Sequence, residues 1–78
     1  MTLEELKKNR PRTTSVPDAA EIMGVSPIFL RAALIQGKFP FGVAVEMKQN
    51  EFYINTNRFI LYMEGKDLKL SEMEKKYL

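Results

Sequence analysis

The stretch from residue 15 to residue 37 restricts the fold of this chain more than any other feature. Ser15 is a typical helix N-cap, because its hydroxyl accepts a hydrogen bond from a backbone amide of the first turn. Pro17 and Asp18 favour that first turn, where proline removes no needed donor and a carboxylate meets the positive end of the helix. Gly24 favours the left-handed conformation that ends a helix. We therefore predict a short helix between Ser15 and Gly24.

A second helix is predicted directly after the first. Ser26 and Pro27 repeat the cap, and Gly37 ends the helix. Apolar residues recur at helical spacing and form one buried stripe on each helix, namely Val16, Ala20 and Met23 on the first and Leu30, Ala33 and Leu34 on the second. Two short helices joined by a tight turn are typical of a helix-turn-helix unit.

After residue 42 the apolar period changes from that of a helix to that of a strand. Val43, Val45 and Met47 alternate with Ala44, Glu46 and Lys48, and Phe52 alternates with Ile54 on the other side of the polar pair Gln49-Asn50. This pattern predicts a β-hairpin with its turn near residues 49–50.

A further helix is predicted from Thr56 to Glu64, capped by Asn55 and ended by Gly65. Its expected buried residues are Phe59, Tyr62 and Met63, and Ile60 and Leu61 then leave it apolar nearly all round.

The ends of the chain complete a three-part division. Residues 1–13 read as a short helix capped by Thr2 and followed by a basic arm, since residues 7–14 form a proline-containing basic linker. Residues 14–65 form the main domain. Residues 66–78 form a tail in which Ser71 and Glu74 predict one more short helix.

Composition excludes several classes of function. The 78 residues include neither Cys nor His, so we expect no disulfide, no zinc site and no other metal or cofactor. The commonest general base is also missing, and the remaining acidic and basic groups form no recognisable catalytic constellation, so we expect no enzyme. No run approaches the roughly 18 apolar residues that span a membrane, and we expect a cytoplasmic protein with no membrane partner.

The charge of the chain is small and unevenly distributed. Twelve basic and ten acidic residues give a net charge of +2. Residues 13–65 contain four basic and five acidic residues, so the excess of positive charge lies in the two ends. This balance is unusual for a DNA reader, which normally presents phosphate-neutralising charge on one face.

The order of these elements resembles a known family. The segment SVPDAAEIMGVSP, followed by QGKFPFG and YIN, is similar to the excisionase-type domain, a small relative of MerR-type regulators found in phage and mobile-element proteins of Gram-positive bacteria. The resemblance covers residues 14–65. It implies a mainly α winged helix-turn-helix fold with a small β-hairpin. It also implies a sequence-specific protein for double-stranded DNA that acts in recombination or transcription regulation, with several copies side by side and with a recombinase as a candidate partner.

The resemblance implies that the second helix enters the major groove and that the hairpin, as a wing, lies on the flanking backbone. Arg31 is suited to guanine, and Ser26 with the helix amides is suited to a phosphate. The DNA-binding residues implied in this way lie on the helix, near its end and at the hairpin tip: Ser26, Pro27, Ile28 and Arg31, with Ala32 as a further candidate, then Lys38, Lys48, Gln49 and Asn50. The basic linker adds an arm for the backbone or minor groove, consisting of Lys7, Lys8, Arg10 and Arg12, although such a run is equally often only solvated surface.

An alternative is that the second helix binds protein. It presents Arg31 among apolar residues, whereas a DNA-reading helix usually presents several polar side chains. One interpretation is that Phe29 tucks partly into the core while Ile28 contacts a thymine methyl group. The other is that this apolar face binds a host or phage protein, while a second copy of the chain is expected to meet the third helix and the tail. The candidate interface residues are Ile28, Phe29, Ile35, Ile60 and Leu61, and the tail is a further candidate for self-association.

Overall fold

The computed structural model describes residues 1–65, which contain four helices and one two-stranded antiparallel hairpin. In chain order these elements are α1 (Leu3–Asn9), α2 (Val16–Met23), α3 (Pro27–Ile35), β1 (Gly42–Val45), β2 (Glu51–Ile54) and α4 (Thr56–Met63). The order is compatible with a helix-turn-helix unit followed by a wing. The helix predicted at Ser71 and Glu74 lies outside the described residues.

The predicted N-caps are confirmed for all four helices. In each case a side-chain oxygen accepts a hydrogen bond from the backbone N–H three residues later. The caps and their distances are Thr2 to Glu5 at 3.2 Å, Ser15 to Asp18 at 3.2 Å, Ser26 to Phe29 at 3.1 Å, and Asn55 to Arg58 at 2.9 Å. Local sequence therefore determines where each helix begins.

The turn between α2 and α3 depends on a glycine and on two small residues. Gly24 has a φ of +76°, a left-handed conformation that a side chain would disfavour. Ala19 and Ala20 are completely buried, so α3 packs closely against α2 through Leu30 and Leu34. The predicted stripe of α2 is confirmed at Val16 and Ala20, whereas Met23 is only half-buried.

The hairpin packs its inner face towards α3. Gly42 pairs with Ile54 and Ala44 with Phe52 on the inner face, whereas Val43 pairs with Tyr53 on the exposed outer face. A Cβ atom on Gly42 would lie 2.8 Å from the carbonyl oxygen of Tyr53 and 3.1 Å from a methyl carbon of Leu34. Glycine at this position therefore allows α3 and β2 to approach from two sides.

The buried face of α4 matches the predicted one in part. Phe59 is buried and Met63 packs half-buried against the core, as expected. Tyr62 is 36% exposed, although its ring meets those of Phe39 and Phe41. Thr56 and Ile60 complete the buried face. Ile60 is only 1% exposed and belongs to the central core, so its prediction as an interface residue is wrong. The apolar pattern of α4 could not show which side α1 would cover, and α1 packs against α4.

The linker predicted at residues 7–14 is in large part ordered structure. Lys7, Lys8 and Asn9 belong to α1, whose Leu6 is buried in the core. Beyond the helix, Thr13 forms an isolated β-bridge with Asn55, and the N–H of Thr14 donates to the carbonyl of Ile54 at 3.1 Å. Residues 8–13 are all exposed, as expected of a solvated connector, and Thr14 is buried.

The buried hydroxyls of Thr14 and Thr56 share a hydrogen bond of 2.7 Å, which joins the N-terminal segment to α4. Within residues 1–65 no helix combines the length and the apolar character needed to cross a membrane.

Candidate nucleic-acid interface

The outward face of α3 is the most exposed apolar surface on a helix in the described part of the chain. Leu30, Ala33 and Leu34 point into the core, as the predicted stripe requires. On the opposite side, Ile28 is 77% exposed and Ile35 is 55% exposed. Fully exposed aliphatic side chains contribute little to folding, so this face requires an explanation other than the core.

Phe29 is also on the solvent side of α3. It is 55% exposed and is not among the residues that pack against the core. The interpretation in which Phe29 tucks into the core is therefore wrong. The N-cap explains its position, because the N–H of Phe29 donates to the hydroxyl of Ser26 and fixes the first turn with the ring outside.

The first turn of α3 offers less to an anion than the sequence predicted. Pro27 has no N–H, and the N–H groups of Phe29 and Leu30 donate to the hydroxyl and the carbonyl of Ser26. In the described part of the chain, the N–H of Ile28 is the one first-turn donor without an acceptor. A phosphate at this end would be held by one amide rather than by several.

Three predicted cationic residues surround this face and its neighbouring hairpin. Arg31 is half-buried on α3, and Lys38 and Lys48 are exposed. The N–H of Lys38 donates to the carbonyl of Ala33 at 2.9 Å, which holds Lys38 directly beyond the end of the helix. Among residues 1–65 none of these three cations has an ion-pair partner, so each is available to a phosphate or a base.

The hairpin tip lies beside the C-terminal end of α3. Residues 46–50 at the tip are all exposed, and they include the predicted Lys48, Gln49 and Asn50. A groove lined by Ile35, Ala44, Glu46 and Asn50 connects α3 to this tip. We call the outward face of α3, this groove and residues 46–50 the α3–hairpin surface. The carboxylate of Glu46 would repel a phosphate at this surface and offsets part of the positive charge of Lys48.

The basic residues of the predicted arm lie apart from this surface, on the side where α1 packs against α4. Lys7 pairs with Glu64 at 2.6 Å, and the hydrogen bond and charge of that carboxylate raise the pKa of Lys7. Arg10 donates to the side-chain oxygen of Asn57 at 3.1 Å. Lys8 and Arg12 are exposed and have no partner among the described residues. Two of the four arm residues are thus engaged within the fold.

Two features of the exposed surface were not predicted. Gln36 follows Ile28 by eight residues, so it lies on the same side of α3, and it is exposed. Its spacing in the sequence could have identified it. The outer face of the hairpin, with Val43, Val45 and Tyr53 each about half exposed, was also missed, because alternation shows that a strand has two faces but not which one meets the core.

Comparison with known proteins adds nothing to this geometry: no family model, curated protein or solved structure matches the chain. The resemblance to excisionase-type domains therefore depends on the residues quoted above. What the molecule binds must be argued from its own exposed side chains.

Proposed function

We propose that this chain is a non-catalytic, sequence-specific protein for double-stranded DNA, with a winged helix-turn-helix fold. In this proposal α2 and α3 are the helix-turn-helix unit, α3 enters the major groove, and the β1–β2 hairpin is the wing on the flanking backbone. The observation that best supports it is the α3–hairpin surface, where an exposed helix face lies beside an exposed tip and three cations that have no ion-pair partner among residues 1–65. The biological role would be excision control or transcription regulation in a phage or mobile element.

The available contacts imply modest affinity for each copy. Lys38 and Lys48 are suited to phosphates, Arg31 to guanine and Gln36 to adenine. With about two phosphate contacts, from Lys38 and Lys48, the logarithm of the association constant should fall by roughly 0.9 per contact for each tenfold increase in salt. Such a small number of contacts favours binding as several copies side by side.

The experiment is a fluorescence-anisotropy titration with duplex DNA that flanks the gene, compared with scrambled duplexes at two salt concentrations. Arg31→Ala should cost about 1–3 kcal/mol on the preferred sequence and much less on the scrambled one, because a base contact is lost. Arg58→Ala is the matched control, since Arg58 is an exposed arginine on α4 without an ion-pair partner among residues 1–65. Absence of binding to every duplex at low salt would reject the proposal.

A second candidate function is protein binding by the same surface. The exposure of Ile28, Phe29 and Ile35, each above one half, favours it, because apolar patches on small domains commonly mark interfaces. Under this alternative the bound partner is a host or phage protein, and complex formation depends weakly on salt. Ile28→Asp should then abolish the complex while leaving the thermal unfolding temperature unchanged.

A further inference from the structure

The outward face of α3 has a defined chemical order along the helix. At 100° per residue, Ile28, Ala32 and Ile35 lie within about 60° of one another, with Arg31 on one margin and Phe29 on the other. The centre of the face is thus entirely apolar. At 1.5 Å per residue, Ile28 and Ile35 are about 10 Å apart along the axis, the length of about three base pairs.

Most base edges are poor partners for such a face. In the major groove guanine, cytosine and adenine present hydrogen-bond donors and acceptors, which an aliphatic side chain would cover without satisfying. Thymine also presents its O4 acceptor there, but it alone adds an apolar group, the C5-methyl, that an aliphatic side chain can contact. An aliphatic row therefore prefers A·T pairs whose methyl groups point at it.

The charges around the face favour nucleic acid as its occupant. Arg31 borders the apolar row, Lys38 follows the C-terminal end of α3, and Lys48 lies on the neighbouring hairpin tip. Among residues 1–65 none of them has an ion-pair partner. Lys38 and Lys48 are therefore suited to the phosphates beside a major groove, which leaves Arg31 for a base edge.

We propose that α3 recognises thymine methyl groups, so that its target is a thymine-rich segment of about three base pairs with a guanine on the flank that faces Arg31. Ile28, Ala32 and Ile35 contact the methyl groups, and Phe29 extends this contact at the N-terminal end. This inference depends on the proposed DNA-binding function and specifies how the sequence is read. It explains why a DNA reader would present aliphatic rather than polar side chains.

The test begins with selection of the preferred site from random duplexes by the full chain. Each thymine of that site is then replaced by deoxyuridine, which removes the methyl group and keeps the base pair. Burial of one methyl is worth roughly a fourfold change in affinity, so two or three contacts should together give roughly 15- to 60-fold weaker binding. Replacing a contacted A·T pair by a pair of guanine with 5-methylcytosine should restore part of the loss, whereas unmethylated cytosine should not.

A variant of α3 tests whether Ile28 makes the contact with the thymine methyl groups. Ile28→Ala should weaken binding to the thymine site. Its affinity should also fall less than that of the original chain when thymine is replaced by deoxyuridine. Ile28 is 77% exposed, so this variant should fold, which circular dichroism verifies. Val43→Ala, which shortens an exposed aliphatic side chain on the outer face of the hairpin, should keep the full difference between thymine and deoxyuridine.

The outcomes separate the two proposals. Selective DNA binding with equal affinity for thymine and deoxyuridine sites would overturn methyl recognition and leave the DNA-binding function standing. Failure to bind any duplex at low salt would overturn both. A loss on deoxyuridine that is the same for Ile28→Ala and for the original chain would move the methyl contacts away from Ile28 and overturn the inference as stated.

Discussion

Helices α3 and α4 are alike in length, capping and apolar character but have different surroundings. Each is short, begins at a side-chain cap and contains apolar residues on more than one side. In α4 part of the apolar surface is covered, since Phe59 and Ile60 are at most 1% exposed, whereas Leu61 is 42% exposed. In α3 the outward apolar face is more open, since Ile28, Phe29 and Ile35 are each more than half exposed. An apolar helix therefore does not by itself indicate a binding surface, and only the neighbouring elements decide.

The neighbours account for the difference. α1 packs against α4, and the ring of Phe59 meets Phe41 edge-on with centroids 4.9 Å apart. The principal neighbours of α3 are α2 and β1, which meet its buried stripe and leave the outward face open. The apolar residues of α4 thus contribute to folding stability, whereas those of the outward face of α3 are available for a partner.

The largest expected effect tests this division directly. Phe59→Ala should lower the free energy of unfolding by about 3–5 kcal/mol, because it removes a fully buried ring and leaves a cavity. Phe29→Ala, the same substitution at a side chain that is 55% exposed, should change it by less than about 0.5 kcal/mol. Urea unfolding followed by circular dichroism measures both.

Ile60→Val offers a milder probe of the same core if Phe59→Ala does not fold, with an expected loss of about 0.5–1.5 kcal/mol. Equal losses for Phe29→Ala and Phe59→Ala would mean that α3 and α4 do not differ in the way described.

The next prediction concerns the packing of α1 on α4. Leu6 is 1% exposed, and Leu6→Ala should cost about 2–5 kcal/mol, since it removes a core side chain and loosens α1 from α4. A dye that binds exposed apolar surface should then bind more strongly. Lys8→Ala, an exposed position on the same helix, is the control and should change neither measurement. Unchanged unfolding in Leu6→Ala would show that α4 does not need α1 as its cover.

The parts of the fold that depend on local chemistry could be predicted from the sequence. The four caps, the Gly24 turn and the hairpin each depend on residues that are close in the chain. The side of α4 that is buried could not, because it depends on Leu6 and Phe41, which are distant in sequence. For the same reason the prediction of Ile60 as an interface residue is wrong.

The candidate site was predictable to a similar extent. Spacing identified Ile28 and Arg31 on one helix and Lys48 on the hairpin, and these residues belong to one surface. Spacing could not reveal that Lys7 has a partner, because Glu64 follows it by 57 residues. Tertiary contacts decide whether a charged residue has a partner. They separate the cations of the α3–hairpin surface from Lys7, which is paired.

The smallest expected effect concerns that pair, which fastens α1 to α4. The hydrogen bond with Glu64, and then its charge, raises the pKa of Lys7 above its ordinary value of 10.5. Because the pKa of Lys7 is raised in the folded chain, the stabilisation from the Lys7–Glu64 pair is fully present below pH 10.5. It is lost as the pH rises through the raised pKa of the folded chain. Lys7→Met, which keeps an apolar stem, should therefore melt slightly below the original chain at neutral pH.

That difference should disappear in strongly alkaline buffer, where both chains lack the charge at position 7. Lys8→Met is the matched control, since Lys8 has no partner among residues 1–65 and its substitution should show no such pH dependence. High salt should also reduce the difference, because the pair is partly exposed to solvent. A melting difference that persists unchanged at high pH would mean that the ion pair is not what fastens α1 to α4.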